Sequence, residues 1–449
     1  MSAPTTNIPV AVPAGATSGT SGASGASGGQ PAQPRTIAGS LPSARSLASR
    51  LLHGTPGRMR LFGLLGVLAA VVLGAISANA LLASQAAVQR AANNTDQVVR
   101  VQSIHVDLLR ADAVATNAFL VGGLESADSR LKYEQALSRV ATSLAKAAAA
   151  QPADGNALGA LSVKVQAYAA LVEQARSNNR LGLPVGAQYL TQASAGLRSD
   201  AIPIVTQIVK ANEDRSRKEF DRSNSSLQLL VGVVSLIGLV ALAVWLARRT
   251  HRYLNRSLTA AIVLLLVTLF LAATQISGIG TATADVSRGN FQQAVSLANI
   301  TTAANDARAN ESLTLIRRGS GASNEASWKT DRDAVENGLD GMPNGAELRG
   351  LWATYAAAHE QVRGLDDGGR WDDAVKASTS TAATGAAGTF EAFDQQVAQA
   401  RDDASKSAVA TLEGLGGSAP LFAVLVALAA LVASWLIVRG VGQRIEEYR

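Results

Sequence analysis

Four long apolar runs constrain this chain more than any other feature of its sequence. A helix needs about 20 apolar residues to cross a bilayer, and a soluble core seldom uses four uncharged runs of that length. The runs occupy residues 58–83, 227–247, 258–279 and 419–438, and the uncharged part of the first begins at Leu61. The sequence therefore predicts four transmembrane helices.

The first run also resembles a secretory signal peptide, because Arg58 and Arg60 precede its apolar part. The apolar region of a signal peptide is about 7–15 residues long and lies near the start of the chain. This run is longer and begins only after a long polar tail. We therefore interpret it as a retained transmembrane helix.

The arginines beside the apolar runs predict the orientation of the chain. The tail 1–57 and the loop 248–257 contain arginines and no acidic residue, and the tail 439–449 is also rich in arginine. Because basic loops stay in the cytoplasm, we expect both termini in the cytoplasm of a multi-pass plasma-membrane protein. These segments also explain the net charge of +6, so no nucleic-acid partner is needed.

The two long segments 84–226 and 280–418 then lie outside the cytoplasm. Neither contains a convincing strand-like run, whereas both contain long helix-like segments free of Gly and Pro. We predict an all-α membrane protein with four transmembrane helices and two tandem extracytoplasmic four-helix bundles. The Gly/Ser/Ala-rich tail 1–57 cannot bury enough apolar surface to fold, so we expect it to be disordered.

One short segment occurs in both external parts. Tyr168-Ala-Ala-Leu-Val-Glu-Gln-Ala-Arg176 matches Tyr355-Ala-Ala-Ala-His-Glu-Gln-Val-Arg363 at six of nine positions. Around it, apolar residues follow a heptad spacing, which is typical of helices packed in a bundle. The two seams are Leu161, Val165, Tyr168, Val172 and Ala175, and Leu348, Trp352, Tyr355, His359 and Val362. The match indicates that one structural unit is used twice.

Proline and glycine positions predict where the external helices begin and end. No Gly or Pro occurs from Ala75 to Val121, so we expect the first span to continue outward as one helix until Gly122-Gly123. A last helix of the first bundle is expected from Ile204, just after Pro203, directly into the second span. In the second part, the first helix is expected over 290–318.

The cytoplasmic segments are too short for a kinase, a cyclase or a signalling hairpin, so any output needs a docked partner. The basic loop supplies the candidate docking residues. These are Arg248, Arg249, His251, Arg252 and Arg256. The same residues also serve to fix the topology and to contact anionic lipid.

Outside the membrane, four residues are candidates for contact with a partner or ligand. Arg317 and Arg318 suit carboxylate recognition, although cations at a helix end also complement the helix dipole. Trp328 and Trp371 lie among polar residues and could anchor an interface. His359 takes the seam position of Val172 and is either a core histidine or a protonation switch.

Enzyme chemistry is not indicated by the sequence. The chain has no cysteine, which excludes disulfides and thiolate metal sites. It also lacks a phosphate-binding glycine loop, a His-Glu-x-x-His pair and a Gly-x-Ser-x-Gly turn. We expect no catalytic residue, no cofactor and no metal. A transporter is disfavoured because the spans lack ionisable groups.

The Tyr168 and Tyr355 segments, together with the loop sequence Arg248-Arg249-Thr-His-Arg252, carry a family resemblance over residues 58–449. Each half resembles the four-helix-bundle sensor modules of bacterial chemoreceptors, and the tandem arrangement resembles the actinobacterial GlnX family. The resemblance implies an amino-acid signal received from a GlnH-type solute-binding lipoprotein. It also implies output to a soluble Ser/Thr kinase of the protein kinase G type.

Two alternatives remain open beside this relay function. The chain could be a chemoreceptor-like sensor that binds a small molecule directly, between bundle helices or at the seam of a homodimer. It could also be a non-signalling scaffold of the cell envelope.

Overall fold

The computed structural model describes residues 55–121, 125–223, 227–250, 255–343, 345–415 and 417–446. Throughout these ranges every regular element is a helix and no strand is present, so the predicted all-α class is confirmed. The predicted disordered tail, the Gly122-Gly123 helix stop and the join between bundle and second span at 224–226 lie outside the described residues.

Thirteen α-helices form the described chain. They are α1 (Thr55–Val121), α2 (Ala127–Ala150), α3 (Gly155–Arg180), α4 (Val185–Gly196), α5 (Ile202–Ser223), α6 (Leu227–Thr250), α7 (Arg256–Val286), α8 (Gln292–Ile316), α9 (Ala322–Leu339), α10 (Gly345–Asp367), α11 (Trp371–Thr379), α12 (Ala386–Leu415) and α13 (Ala419–Glu446). Two π-helical turns, Leu197–Ala201 and Ser287–Phe291, join α4 to α5 and α7 to α8.

The longest helix links the apolar and polar parts of the molecule. Helix α1 has 67 residues without a break, which corresponds to about 100 Å at 1.5 Å per residue. Its first half is the apolar run and its second half carries the polar residues at the start of the long segment 84–226. The prediction that the first apolar run continues as one helix to Val121 is therefore confirmed.

Within the described residues, three helical stretches are long and apolar enough to cross a membrane: Gly57–Val121, Arg256–Ile316 and Ala386–Gln443. A fourth apolar stretch in α6, Leu230–Trp245, is shorter. Large apolar side chains on these helices point outward, among them Leu64 and Phe270. Exposed apolar residues over such lengths need a nonpolar solvent, which is consistent with a membrane protein.

The apolar parts of α1, α6, α7 and α13 pack against one another. Their shared core includes Leu73, Leu239, Leu265 and Ala433. A side chain at Gly74 of α1 would collide with the Cβ atom of Ala430 on α13. Small residues at such a crossing let two helix backbones approach closely.

Bundle 1 (residues 90–223) consists of the second half of α1 with α2, α3 and the α4–α5 pair around one hydrophobic core. In α1, residues at heptad spacing are buried along the whole bundle, at Val101, Ile104, Leu108, Ala111, Ala115 and Ala118. In α3, four of the five seam residues are buried and Val165 is partly buried. The predicted heptad seam thus identified the core-facing side of α3.

Bundle 2 (residues 287–415) consists of α8 to α12 around a second core. All five residues of its predicted seam, from Leu348 to Val362, are at most 3% exposed. Its first helix ends at Ile316, with Arg317 as the C-terminal cap, close to the predicted end. Its start differs, because Gly289 leaves helical geometry within the π turn before α8.

The predicted start of the last helix of bundle 1 was wrong. The helical segment begins at Val185 and continues through the π turn Leu197–Ala201 into α5, where Pro203 is the second residue. A π turn shifts the backbone hydrogen-bond pattern by one residue. The helix can therefore continue past Pro203, whose nitrogen has no hydrogen to donate.

Candidate functional site

A buried carboxylate lies at the centre of bundle 1. Asp112 of α1 is fully buried. Its carboxylate accepts hydrogen bonds from the Tyr168 hydroxyl at 3.3 Å, the Ser194 hydroxyl at 2.6 Å and Nη1 of Arg198 at 2.8 Å. A buried charge is tolerated only when it is paired and hydrogen-bonded. These three donors therefore link α3, α4 and the π turn to α1.

Bundle 2 contains a cluster of the same residue types. Glu311 of α8 is also fully buried. It forms an ion pair with Arg308 and accepts hydrogen bonds from the Ser378 hydroxyl at 2.7 Å and the Tyr355 hydroxyl at 3.1 Å. Nδ1 of His359 lies 2.9 Å from the same carboxylate. Tyr168 and Tyr355, which match in the repeated segment, thus each contact a buried carboxylate on the first helix of their bundle.

His359 lies between two carboxylates. Its Nδ1 faces Glu311, its Nε2 is 3.3 Å from Glu325 Oε2, and its ring stacks on Trp328 with ring centroids 3.6 Å apart. Burial alone would lower the pKa of His359, but hydrogen bonds and charges from Glu311 and Glu325 raise it above the ordinary value of 6.5. The arrangement favours the protonated, cationic ring.

The charge of Glu311 is stabilised by the same contacts. Burial would raise the pKa of Glu311, but the positive charges of Arg308 and His359 and the hydrogen bonds to it lower the pKa to about 2. The carboxylate is therefore ionised at any physiological pH. The negative charge of Glu311 is thus balanced inside the core by a group of four side chains: Arg308, Tyr355, Ser378 and His359.

The two bundles pack side by side along α1 and α8. Leu120 of α1 is part of the bundle 2 core, and Ile316 of α8 packs against the bundle 1 core. Charged pairs cross the same interface. They are Arg198 with Asp306 at 2.5 Å, Arg110 with Asp394 at 2.7 Å, and Lys132 with Glu391 at 3.0 Å.

Arg198 connects the buried cluster of bundle 1 to bundle 2. One side of its guanidinium contacts Asp112 and the other contacts Asp306 of α8. Burial raises the pKa of Asp306 despite the charge of Arg198. Burial and the charge of Asp306 also raise the pKa of nearby Asp331 to about 7. The interface therefore contains an acid whose charge changes near neutral pH.

A cavity of about 280 Å³ opens at the end of bundle 1 that lies near Val121. Its floor is apolar and includes Ala118, Val172 and Leu190, whereas Arg130 and Arg180 lie at its edge. The cavity is lined by residues from α1, α2, α3 and α4, so its shape depends on how these four helices pack.

Three of the predicted external residues are brought together at the end of α8. The guanidinium of Arg318 lies 3.8 Å from the ring centroid of Trp371, and the indole nitrogen of Trp371 donates to the Leu315 carbonyl at 2.8 Å. Arg317 is the C-terminal cap of α8, and its side chain reaches the Ser323 hydroxyl at 3.3 Å. These contacts stabilise the C-terminal end of α8.

Trp328 does not join this group. It is 2% exposed and packs against His359 in the core of bundle 2, so the expectation of an exposed interface anchor was wrong. The polar residues beside it in sequence lie on other faces of α9, because neighbours in a helix point in different directions.

The predicted cytoplasmic docking residues are only partly described. Arg248 near the end of α6 and Arg256 at the start of α7 are both exposed. His251, Arg252 and the side chain of Arg249 lie outside the described residues. Close to Arg256, Asn255 caps α7 through Leu258 and donates from Nδ2 to the Gly440 carbonyl of α13 at 2.7 Å.

Sequence reasoning missed Asp112 and Glu311, the two central carboxylates. Most of the side chains that contact these two carboxylates are distant in sequence. The tyrosines, serines, His359 and Arg198 lie 44 to 86 positions away from the carboxylate that they contact. A signal for Asp112 did exist: it lies directly beside Ala111, one of the apolar residues at heptad spacing in α1, and an acid next to such a core position needs buried partners.

Fold and site together define a helical protein in which apolar, span-length helices continue into polar bundles with buried charged clusters. Residues 87–221, which cover nearly all of bundle 1, match the family model described as an actinobacterial sensor domain. No curated protein and no solved structure gives a significant match to the chain. The match supports an actinobacterial sensor protein.

Proposed function

We propose that this chain is a transmembrane signal-relay sensor without enzymatic activity, threaded through the plasma membrane four times with both termini in the cytoplasm. The observation that carries the proposal is the continuity of its helices. Helix α1 runs unbroken from an apolar segment into a bundle that matches a sensor domain. A shift of α1 within bundle 1 is then also a shift of α1 within the membrane.

Contacts between the bundles support a relay that uses both of them. Arg198 and Arg110 link bundle 1 to α8 and α12 of bundle 2, and α8 and α12 are continued by the apolar helices α7 and α13. Packed helices change position by discrete shifts of about 1–2 Å. A change in bundle 1 can therefore reach three apolar helices through direct contacts.

The partners in this proposal come from the resemblance to the GlnX family. A GlnH-type solute-binding lipoprotein delivers an amino-acid signal to the bundles on the outer side. A cytoplasmic Ser/Thr kinase is the output, docked on the basic loop around exposed Arg248 and Arg256. Half-buried Arg317 and exposed Arg318, beside Trp371, are the candidate contact for the lipoprotein.

A direct small-molecule sensor is the second candidate, and the cavity in bundle 1 favours it. Four helices line that cavity, so an occupant would alter their packing. A non-signalling envelope scaffold is the third reading. It would require rigid bundles with no change on exposure to an external signal.

Crosslinking in cells tests the relay. A photo-crosslinking residue at Arg318 should capture a solute-binding lipoprotein in an amino-acid-dependent way, and the same residue at exposed Glu347 is the control. Deletion of the chain should abolish the response of kinase-substrate phosphorylation to external amino acids. A response that persists after deletion would favour the scaffold, and capture of no lipoprotein would exclude the relay as proposed.

A further inference from the structure

We propose that the bundle 1 cavity is a binding site for a small apolar monocarboxylate, which gives the protein a second input beyond the relayed lipoprotein signal. The cavity volume of about 280 Å³ lies just below the roughly 300–1,000 Å³ typical of ligand sites. It suits a short branched or aromatic acid.

The floor of the cavity selects an apolar body. Ala115, Ala118, Val172, Ala175 and Leu190 line it, and each of these residues belongs to the bundle 1 core. No charged group lies among them, so a second charge on the ligand would be buried there without a partner. That cost excludes dicarboxylates from the floor.

The charged residues that line the cavity are three arginines, Arg130, Arg176 and Arg180, and one acid, Glu125. Arg176 is already saturated, because its guanidinium contacts Glu125 at 2.9 Å and Glu173 at 2.7 Å. Arg130 donates from Nε to Glu134 at 2.7 Å. In the part of the chain that the structure describes, Arg180 has no ion-pair partner and its side chain is exposed at the cavity edge.

Arg180 is therefore the group available to hold a carboxylate. A guanidinium can form two parallel hydrogen bonds to one carboxylate, whereas Arg130 is already paired, through Nε with Glu134 and through Nη2 with Glu173 at 3.6 Å. Arg180 is also the last residue of α3, where a cation complements the helix dipole. A role in helix stability alone would affect unfolding and leave ligand binding unchanged.

Occupation of the cavity would act on the helix that enters the membrane. Ala115, Ala118 and Phe119 of α1 line the cavity together with residues of α2, α3 and α4. A ligand that fills the space fixes the distance between α1 and the other three helices. Because α1 is continuous from Thr55 to Val121, the same contact sets its position in the apolar segment.

Calorimetric titration of the purified full chain in nanodiscs tests this site. The probes are isovalerate, hexanoate and phenylacetate, with phenylacetamide as the uncharged analogue and succinate as the dicarboxylate. At least one monocarboxylate should bind saturably, and phenylacetamide and succinate should bind at least tenfold more weakly. Arg180→Gln should weaken binding of that acid at least tenfold, which is about 1.4 kcal/mol.

Two further variants keep the test decisive. Arg370→Gln removes an exposed arginine from bundle 2 and should leave affinity unchanged. Ala118→Leu fills the cavity from α1 and should abolish binding while α1 stays helical by circular dichroism. Failure of all three acids to bind, equal binding of acid and amide, or full affinity in Arg180→Gln would overturn the proposal. None of these outcomes bears on the relay, because neither lipoprotein nor kinase is present.

Discussion

The two bundles hold a buried carboxylate with the same set of residue types, a tyrosine, a serine and an arginine, but use the arginine differently. In bundle 1, Arg198 is 27% exposed at its side chain and reaches across to Asp306 of bundle 2. In bundle 2, Arg308 is 4% exposed and stays within the cluster around Glu311. One cluster therefore connects the bundles, and the other stabilises a single bundle.

The second difference is one residue in the repeated segment. Val172 in bundle 1 is an apolar core residue, whereas His359 in bundle 2 is a titratable group between Glu311 and Glu325. Bundle 1 thus carries the coupling contact and the cavity, and bundle 2 carries the pH-sensitive core. The two bundles therefore differ in the arrangement of a few buried polar residues.

The largest expected effect is a loss of stability on replacing a central carboxylate, and the loss should be greater for Glu311 than for Asp112. Glu311→Gln leaves Arg308 buried without its ion pair, and breaking a buried pair costs about 3–5 kcal/mol. Asp112→Asn should cost about 1–3 kcal/mol, because Arg198 keeps Asp306 and is partly exposed. Amide hydrogen exchange resolved by bundle measures both losses. Exposed Glu347→Gln is the control, and equal losses in the two bundles would contradict the comparison.

The stability of bundle 2 should depend on pH through His359. A histidine pKa raised on folding stabilises the folded state fully below the unfolded value of about 6.5 and less as pH rises through the folded pKa. Hydrogen exchange of α10, corrected for its intrinsic pH dependence, should therefore show lower stability at pH 9 than at pH 6. In His359→Gln this difference should shrink, with a loss of about 1–3 kcal/mol at pH 6. A pH profile identical to that of the wild type would show that His359 does not titrate there.

Ionised Asp331 should lower the stability of the folded protein, whereas ionised Asp112 and Glu311 stabilise it. Its pKa in the folded protein is about 7, so folding favours the protonated acid. The stability that the protonated acid contributes is therefore lost as the pH rises from about 4 to 7. Asp331→Asn should therefore stabilise the bundle interface by about 1–2 kcal/mol at pH 8, a value reduced for solvent screening. No gain is expected at pH 4. Thermal unfolding at the two pH values measures the difference, and a gain independent of pH would contradict it.

The smallest effects should rank the charged pairs between the bundles. Arg110 and Asp394 are 23% and 16% exposed, whereas Lys132 and Glu391 are 42% and 43% exposed. A double-mutant cycle with Arg110→Gln and Asp394→Asn should give a coupling of about 1 kcal/mol, and the lysine pair about 0.3 kcal/mol. The reverse order would show that burial does not set the strength of the interface.

Helices and their core-facing sides were predictable because they depend on local spacing. Three of the four apolar runs fall in helices long and apolar enough to cross a membrane. The heptad pattern around Tyr168 and Tyr355 identified residues that the structure buries. The continuity of α1 followed from the absence of Gly and Pro. Such features need only the residues within one helix.

The buried clusters could not be predicted in the same way. Asp112 meets Ser194 and Arg198 only when α4 and the π turn fold back onto α1, and their separation in sequence carries no signal of that contact. The start of this helical segment was also mispredicted. Pro203 normally marks a helix boundary, but the π turn lets the helix that begins with α4 continue past it. Trp328 was misplaced because local polarity does not reveal which side of α9 meets His359.

The location of the two bundles outside the cytoplasm is the central claim, and cysteine labelling tests it most directly. The chain has no cysteine, so a thiol-reactive label can react with this protein only at the single cysteine that is introduced. Ala150→Cys in bundle 1 and Thr381→Cys in bundle 2 should both react with a membrane-impermeant maleimide on intact cells, whereas Arg248→Cys should react only after lysis. Protection of either bundle position in intact cells would contradict the topology and the relay built on it.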